Sequence, residues 1–171
     1  MQKRALFLDR DGVVNVEKEY LYKIEDFEFI DGIFGLCHHY QDLGYLIFIV
    51  TNQSGIARGF YTQEKFFKLT QWMLEAFEQK GIKTAKVYHC PHHPDLSGEC
   101  VCRKPKDGML REAAGEFDLD LQNSIMIGDK ERDIEAGLNA GLRETYLFDE
   151  SGKIQASKAM KIVKKLDEIW K

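Results

Sequence analysis

The chain lacks several features that would place it in a specialised class. It has three prolines and four cysteines among 171 residues, and it shows no repeat or low-complexity tract. No apolar run approaches the roughly 18 residues that span a bilayer, since the longest, Tyr45–Val50, has only the length of a strand. The formal net charge is −4, which argues against a large nucleic-acid surface. These absences predict one domain over residues 1–171, with no membrane or nucleic-acid partner.

The N-terminus and the cysteines together suggest a compartment. The start "MQKRALFLDRDG" is basic, but its apolar segment is too short for a signal peptide. We therefore expect a cytoplasmic, reducing setting. Three of the four cysteines fall within residues 90–102, and clustered cysteines in such a setting more often bind metal than form disulfides.

Strand-like and helix-like segments alternate along the chain. Predicted strands cover 5–8, 45–50, 85–89, 124–128 and 144–148, and predicted helices cover 32–43, 63–80, 107–118, 131–140 and 155–169. The first, second and fourth strands are nearly continuous apolar runs, as strands covered on both faces require. The pattern predicts an α/β fold, a three-layer Rossmann-like arrangement with a mostly parallel sheet and a functional crevice at the carboxyl ends of its strands.

Two acids follow the first predicted strand. In "LFLDRDGVVN", Asp9 and Asp11 are two positions apart, so in extended chain both side chains face the crevice. Arg10 is expected to point away, and Gly12 lets the chain turn. Two carboxylates this close repel each other, which predicts a bound cation, a shared proton or the counter-ion of a bound phosphate.

Four motifs in order resemble those of a known family. "FLDRDGVVN", "IVTNQSGIARG", "CRKP" and "MIGDKERDIEAG" resemble the motifs of the haloacid-dehalogenase-like (HAD-like) phosphatases. The likeness covers about residues 4–148 and is strongest to the capless branch that contains histidinol phosphatases and heptose bisphosphate phosphatases. It implies a HAD-like fold, and the short segments after Asp11 and after the second strand leave no room for a large cap domain.

The resemblance implies roles for individual residues. Asp9 would be the nucleophile that forms an aspartyl-phosphate, and Asp11 the general acid and base. Thr51 would donate to the transferring phosphoryl group, and Lys104 would neutralise its charge. Catalytic Mg²⁺ would be held by Asp9, Asp11 through its main-chain carbonyl, and Asp129.

Further residues are implied around these. Asp133, one helical turn after Asp129, is expected to support the metal site rather than to bind the ion. Arg103 suits planar recognition of a second anionic group on the substrate. The predicted substrate-binding residues are Glu17, Lys18, Glu19, Tyr20, Asn52, Gln53, Ser54, Arg103 and Lys130.

The cysteine cluster predicts a second metal site. Cys90, Cys100 and Cys102 supply thiolates, which with an imidazole suit Zn²⁺. The resemblance selects His92 as the imidazole, and His93 stays open as the alternative. Four protein ligands close a tetrahedron without a position for water, so this Zn²⁺ would be structural, in a small loop over residues 90–102.

We therefore expect a Mg²⁺-dependent monomeric phosphatase that acts on a small phosphorylated sugar. D-glycero-D-manno-heptose 1,7-bisphosphate, cleaved at C7, is the leading substrate, although some heptose-type members carry a longer insertion between His92 and Cys100. Histidinol phosphate is the alternative substrate. Two other classes remain: a receiver domain, whose acceptor aspartate should end the third strand, and a zinc-dependent nucleic-acid module, which the acidic balance disfavours.

Overall fold

Six parallel strands form a single sheet in the computed structural model, which describes residues 1–171. Their order is β3-β2-β1-β4-β5-β6, and every neighbouring pair is parallel. The strands are β1 Ala5–Leu8, β2 Leu46–Asn52, β3 Thr84–Cys90, β4 Ile125–Gly128, β5 Glu144–Phe148 and β6 Lys161–Val163. The parallel sheet predicted from the apolar runs is confirmed.

Helices connect the first five strands in succession, and a segment without a helix joins β5 to β6. The helices are α1 Ile33–Asp42, α2 Gln63–Gln79, α3 Pro94–Ser97, α4 Gly108–Phe117 and α5 Glu131–Asn139, with 3₁₀ turns at Ile24–Asp26, Leu121–Asn123 and Leu166–Ile169. The side chain of Thr62 accepts a hydrogen bond from Lys65 N and so caps α2, as its sequence indicates. None of these helices combines the length and apolarity needed to cross a membrane.

Alternate strand residues enter two separate cores, one on each face of the sheet. In β1, Leu6 and Leu8 belong to the core covered by α1 and α2, whereas Ala5 and Phe7 belong to the core covered by α4. This two-sided burial explains why the strand sequences are apolar at almost every position. The three-layer arrangement has no cap domain.

The predicted helix at 155–169 is wrong. Residues Lys161–Val163 form β6, which pairs with β5 in register from Tyr146↔Lys161 to Phe148↔Val163, and only a 3₁₀ turn follows. The apolar positions of this segment also fit one face of a helix. Tertiary context decides the outcome, because β5 would otherwise present unpaired backbone groups at a sheet edge.

Candidate active site

The carboxyl ends of the central strands bring the predicted motif residues to one edge of the sheet, where a cleft opens beside them. Asp9 follows β1, Thr51 and Asn52 end β2, and Asp129 follows β4. The cleft has a volume of about 260 Å³ and is lined by Asp9, Asp11, Glu17, Glu19, Tyr20, Leu21, Asn52, Gln53, Ser54, Gly55, Arg58, Tyr61, His93, Arg103 and Arg132. No aspartate ends β3, where a receiver domain would carry its acceptor.

Lys104 connects two acids beneath the cleft. Its side chain is 1% exposed, and Nζ lies 2.8 Å from Asp9 Oδ1 and 2.7 Å from Asp133 Oδ1. Nζ also donates to Val50 O at 2.8 Å. Burial opposes the charge on Lys104, but Asp133 and Asp9 outweigh it and raise the pKa of the ammonium group. A permanent cation therefore lies against Asp9.

Three carboxylates crowd around this one lysine. Ligand oxygens of Asp9, Asp129 and Asp133 all lie within 4.8 Å of one another. Burial and the charge of Asp133 raise the pKa of Asp9 and that of Asp129. Asp129 Oδ1 is buried without a hydrogen-bond partner. Excess negative charge and an unpaired buried oxygen fit a hard divalent cation such as Mg²⁺.

Asp133 itself is engaged on both sides. Oδ1 pairs with Lys104, and Oδ2 accepts a hydrogen bond from Lys130 N at 3.0 Å. The side chain is fully buried. Lys104 thus joins Asp133 to Asp9, and the support of the metal site by Asp133 stays a prediction.

Two glycines permit the close approach of the acidic loops. Gly12 has φ +90°, and a Cβ built there would lie 2.2 Å from Asp129 Oδ2. A Cβ at Gly128 would lie 2.1 Å from Asp133 Cβ. Any side chain at either position would displace a carboxylate, so both loops depend on glycine.

Asp11 is held by donors on both of its oxygens. Arg10, expected to point away, is instead 1% exposed and places Nη2 2.9 Å from Asp11 Oδ1. Arg10 also donates to Leu21 O at 3.1 Å, while Asn15 Nδ2 donates to Asp11 Oδ1 at 3.1 Å. The contact forms because the chain turns sharply after Arg10, whose carbonyl accepts from the backbone of Asn15.

A buried amide links Asp11 to the loop after β2. Gln53 Nε2 donates to Asp11 Oδ2 at 3.0 Å and to Thr51 Oγ1 at 2.9 Å. The hydroxyl of Tyr61 donates to Gln53 Oε1. Tyr61 therefore sets which end of the amide faces the acid. No local sequence signal marks Tyr61, because its role depends on a contact with a different part of the loop.

Asn52 makes a reciprocal contact with the backbone of Lys104. Its Nδ2 donates to Lys104 O at 3.1 Å, and Lys104 N donates to its Oδ1 at 3.0 Å. Both ends of the amide are thereby occupied. Asn52 lines the cleft, but its polar atoms act on the segment that carries Lys104.

The four predicted zinc donors lie together at the side of the cleft. Cys90 Sγ is 3.7 Å from Cys100 Sγ, 2.8 Å from Cys102 Sγ and 3.5 Å from His92 Nδ1. Donors around a tetrahedral Zn²⁺ with bonds of about 2.0–2.3 Å lie roughly 3.5–3.8 Å apart. The distances from Cys90 to Cys100 and to His92 match this range, whereas the distance from Cys90 to Cys102 is shorter. His93 is not part of this cluster, since its ring contacts Arg58 and Asp95 N.

The pKa values of the clustered thiols also fit a site that binds a cation. Burial and the hydrogen bond to Cys102 raise the pKa of Cys90. Burial opposes ionisation of Cys100, but hydrogen bonds from the Arg103 backbone and the other thiols lower its pKa to about 7. Thiols in contact compete for one negative charge, which a soft cation would relieve.

The remaining predicted substrate contacts divide into two groups. Glu17, Glu19, Tyr20, Ser54 and Arg103 line the cleft. Burial, followed by the charge of Asp11, raises the pKa of Glu17.

Lys18 and Lys130 do not line the cleft. Lys18 Nζ donates to Asp26 O at 2.6 Å, and Lys130 Nζ pairs with Asp129 Oδ2 at 2.9 Å. The sequence did not identify Arg58, His93 and Arg132 as cleft residues. The local sequence around an arginine or histidine in a polar loop does not show whether the fold places that loop beside the cleft.

Relatives of known name match most of the chain. A phosphatase from Campylobacter jejuni named D-glycero-alpha-D-manno-heptose-1,7-bisphosphate 7-phosphatase is 58% identical over 153 residues, which are 90% of this chain and 87% of that protein. The beta-anomer enzyme of Helicobacter pylori is 48% identical, over 85% of this chain and 83% of that one. The HAD-hydrolase-like family model matches residues 101–169. The chain belongs to the HAD-like phosphatases.

Solved structures agree with this phosphatase over nearly its full length. The D,D-heptose 1,7-bisphosphate phosphatase of B. bronchiseptica, complexed with magnesium and phosphate, superposes with a TM-score of 0.83 at 28% identity and covers 97% of this chain and 95% of that one. A protein from Mesorhizobium loti described as a HAD-like phosphatase superposes with a TM-score of 0.87 at 32% identity, over 98% and 84% of the two chains. The receiver and nucleic-acid alternatives are thereby removed.

Proposed function

We propose that the chain is a Mg²⁺-dependent phosphatase that hydrolyses the C7 ester of D-glycero-D-manno-heptose 1,7-bisphosphate. The 58% identity with the C. jejuni enzyme of that activity carries the proposal. The cleft supports it, because a small polar cavity with both acids and arginines suits a phosphorylated sugar.

In the first step, Asp9 attacks phosphorus in line with the ester oxygen. A bond forms between the Asp9 carboxylate and phosphorus while the phosphorus–oxygen bond to the sugar breaks. Asp11 gives its proton to the departing sugar oxygen. The Arg10, Asn15 and Gln53 contacts hold the Asp11 carboxyl in one orientation.

In the second step, a water molecule attacks the aspartyl-phosphate. Asp11 takes a proton from that water, and the new bond releases inorganic phosphate and restores Asp9. Lys104 and the Thr51 hydroxyl stabilise negative charge on the phosphoryl oxygens in both steps.

Two metal ions accompany this chemistry. Asp9, Asp129 and the Asp11 main-chain carbonyl would hold Mg²⁺, which neutralises phosphoryl charge. Cys90, His92, Cys100 and Cys102 would hold a structural Zn²⁺. The unpaired Asp129 oxygen and the packed thiols support these two assignments.

A phosphate-release panel tests the proposed substrate. Both anomers of heptose 1,7-bisphosphate, histidinol phosphate and fructose 1,6-bisphosphate are supplied with Mg²⁺, and kcat/KM is measured for each. We expect one heptose anomer to exceed histidinol phosphate by at least about 100-fold, because the two ends of the substrate contact different groups. Equal or greater activity on histidinol phosphate would refute the assignment.

Removal of metal should distinguish the role of Mg²⁺ from that of Zn²⁺. Brief treatment with EDTA is expected to abolish phosphate release, and added Mg²⁺ should restore it, because oxygen sites exchange Mg²⁺ more readily than a closed thiolate site exchanges Zn²⁺. Zinc is measured in the same samples by emission spectrometry. Activity that requires added Zn²⁺ for recovery would contradict the division of roles.

Asn52 should act through Lys104. In Asn52→Asp the acceptor for Lys104 N remains, but a carboxylate oxygen replaces the donor and faces Lys104 O. We expect kcat to fall roughly 10-fold with KM changed less than about 2-fold, since a displaced Lys104 weakens stabilisation in the transition state. Steady-state kinetics measures both constants. A rise in KM at constant kcat would instead indicate that Asn52 binds substrate directly.

A further inference from the structure

The amide of Gln53 lies between a buried tyrosine and two side chains that carry protons for the reaction. Its Nε2 donates to Asp11 Oδ2 at 3.0 Å and to Thr51 Oγ1 at 2.9 Å, while its Oε1 accepts a hydrogen bond from the hydroxyl of Tyr61. Gln53 and Tyr61 are only 3% and 5% exposed. The contacts of the amide are therefore made inside the protein, where a lost hydrogen bond is costly.

The position of Tyr61 is fixed by its surroundings. Its ring stacks on that of Tyr22, with the centroids 5.6 Å apart and an interplanar angle of 19°. The backbone N of Phe60, the preceding residue, donates to Gly55 O at 2.9 Å. Burial raises the pKa of Tyr61 to about 12, so its hydroxyl remains protonated near neutral pH and keeps its donor.

Rotation of the Gln53 amide by half a turn would reverse what its neighbours meet. Oε1 would then face Asp11 and Thr51, and Nε2 would face Tyr61. A hydroxyl can donate as well as accept, and so can a protonated carboxyl group. The reversed amide would therefore accept the protons of Asp11 and Thr51, both of which the reaction needs at the substrate.

The Tyr61 hydroxyl favours the observed orientation, because in the reversed one its proton would lose the acceptor Oε1. In the observed orientation, every hydrogen bond to the Asp11 carboxyl comes from a donor, supplied by Arg10, Asn15 and Gln53. A proton on Asp11 then has no acceptor among these neighbours and is free to point into the cleft. The same donors stabilise the carboxylate that remains once the proton has left.

We propose that Tyr61 is a positioning residue whose hydroxyl, through Gln53, directs the protons of Asp11 and Thr51 towards the substrate. In the first step the bond from phosphorus to the sugar oxygen breaks, and the Asp11 proton passes to that oxygen. The Asp11 carboxylate left behind keeps its hydrogen bond from Gln53. This role of Tyr61 rests on the proposed function, in which Asp11 is the acid.

A change of leaving group tests the role of Tyr61. The oxygen of a sugar phosphate needs a proton to depart, whereas the nitrophenolate of p-nitrophenyl phosphate departs without one. Tyr61→Phe removes only the hydroxyl. We expect kcat/KM to fall about 10-fold for the sugar phosphate but less than about 3-fold for p-nitrophenyl phosphate. Tyr22→Phe, which removes the hydroxyl of the stacked neighbour, is the control and should keep full activity on both esters.

A second variant removes the dependence on orientation. In Gln53→Glu the carboxylate has no donor, so an acceptor oxygen faces Asp11 whichever way the group turns. We expect kcat/KM for the sugar phosphate to fall at least about 30-fold, and Tyr61→Phe in this background to add less than about 2-fold. The melting temperature of each variant is measured to confirm the fold. If Gln53→Glu does not fold, the comparison of the two esters decides by itself.

The outcomes distinguish the role of Tyr61 from the identity of the substrate. The heptose assignment fails if the wild type prefers another sugar phosphate, and that ester is then compared with p-nitrophenyl phosphate. A selective loss on the sugar ester and a non-additive double variant support the role of Tyr61. Equal losses on both esters, or additive losses in the double variant, would refute it. A raised KM at constant kcat would also refute it, since Tyr61 would then bind the substrate directly.

Discussion

Asp9→Asn is expected to reduce kcat by at least about 10³-fold, the largest loss of activity of any single change in the chain. An amide of the same shape cannot form the aspartyl-phosphate. The fold should persist, because Lys104 keeps its 2.7 Å ion pair with Asp133 and the crowding among the three acids is reduced. Phosphate release and the melting temperature are measured on the same preparation.

A matched control and a direct observation complete this test. Asp42→Asn, at the exposed end of α1, changes the same functional group outside the cleft and should retain full activity. In wild-type enzyme quenched during turnover, mass spectrometry should locate a phosphoryl group on the peptide that contains Asp9. A kcat for Asp9→Asn within about 10-fold of wild type would refute covalent catalysis by Asp9.

Cys102→Ser should cause the largest loss of stability. Structural zinc contributes about 10–16 kcal/mol of apparent binding free energy in zinc-finger peptides, so replacing one thiolate by a poor ligand should cost several kcal/mol. For a chain of this size that corresponds to a melting temperature lower by roughly 10 °C. Activity should also fall, because Arg103 and Lys104 directly follow Cys102 in the chain.

The control for this variant is Cys37→Ala. Cys37 is a buried residue of α1 and is not part of the cluster formed by the other three cysteines. Its truncation should cost about 1 kcal/mol and leave the zinc content unchanged. An unchanged melting temperature in Cys102→Ser, with zinc still bound, would show that Cys102 is not a ligand on which the fold depends.

Local pattern predicted most of the regular structure. The runs around Phe7, Ile49 and Ile127 indicate strands buried on both faces, and α2 begins after Thr62 as its cap predicts. The C-terminal segment was predicted wrongly, because apolar residues at 162, 163, 166 and 169 fit a helix as well as a short strand. The open edge of β5, which lies far away in sequence, decides between them.

The residues of the candidate site were also predicted only in part. Motif order pointed to Asp9, Asp11, Lys104 and Asp129, and the fold brings their loops together. The order of the motifs did not predict that the Arg10 side chain turns inward to Asp11. This contact depends on the tight turn stabilised by backbone donors to the Arg10 carbonyl.

By itself, then, the sequence determined the type of most elements and the residue types available for chemistry, since both depend on short-range pattern. The tertiary structure alone decided the partners of those residues. Asn52 faces the Lys104 backbone 52 residues away, and Arg58 meets His93 across two loops. Such contacts follow from the register of parallel strands, which no local stretch of chain encodes.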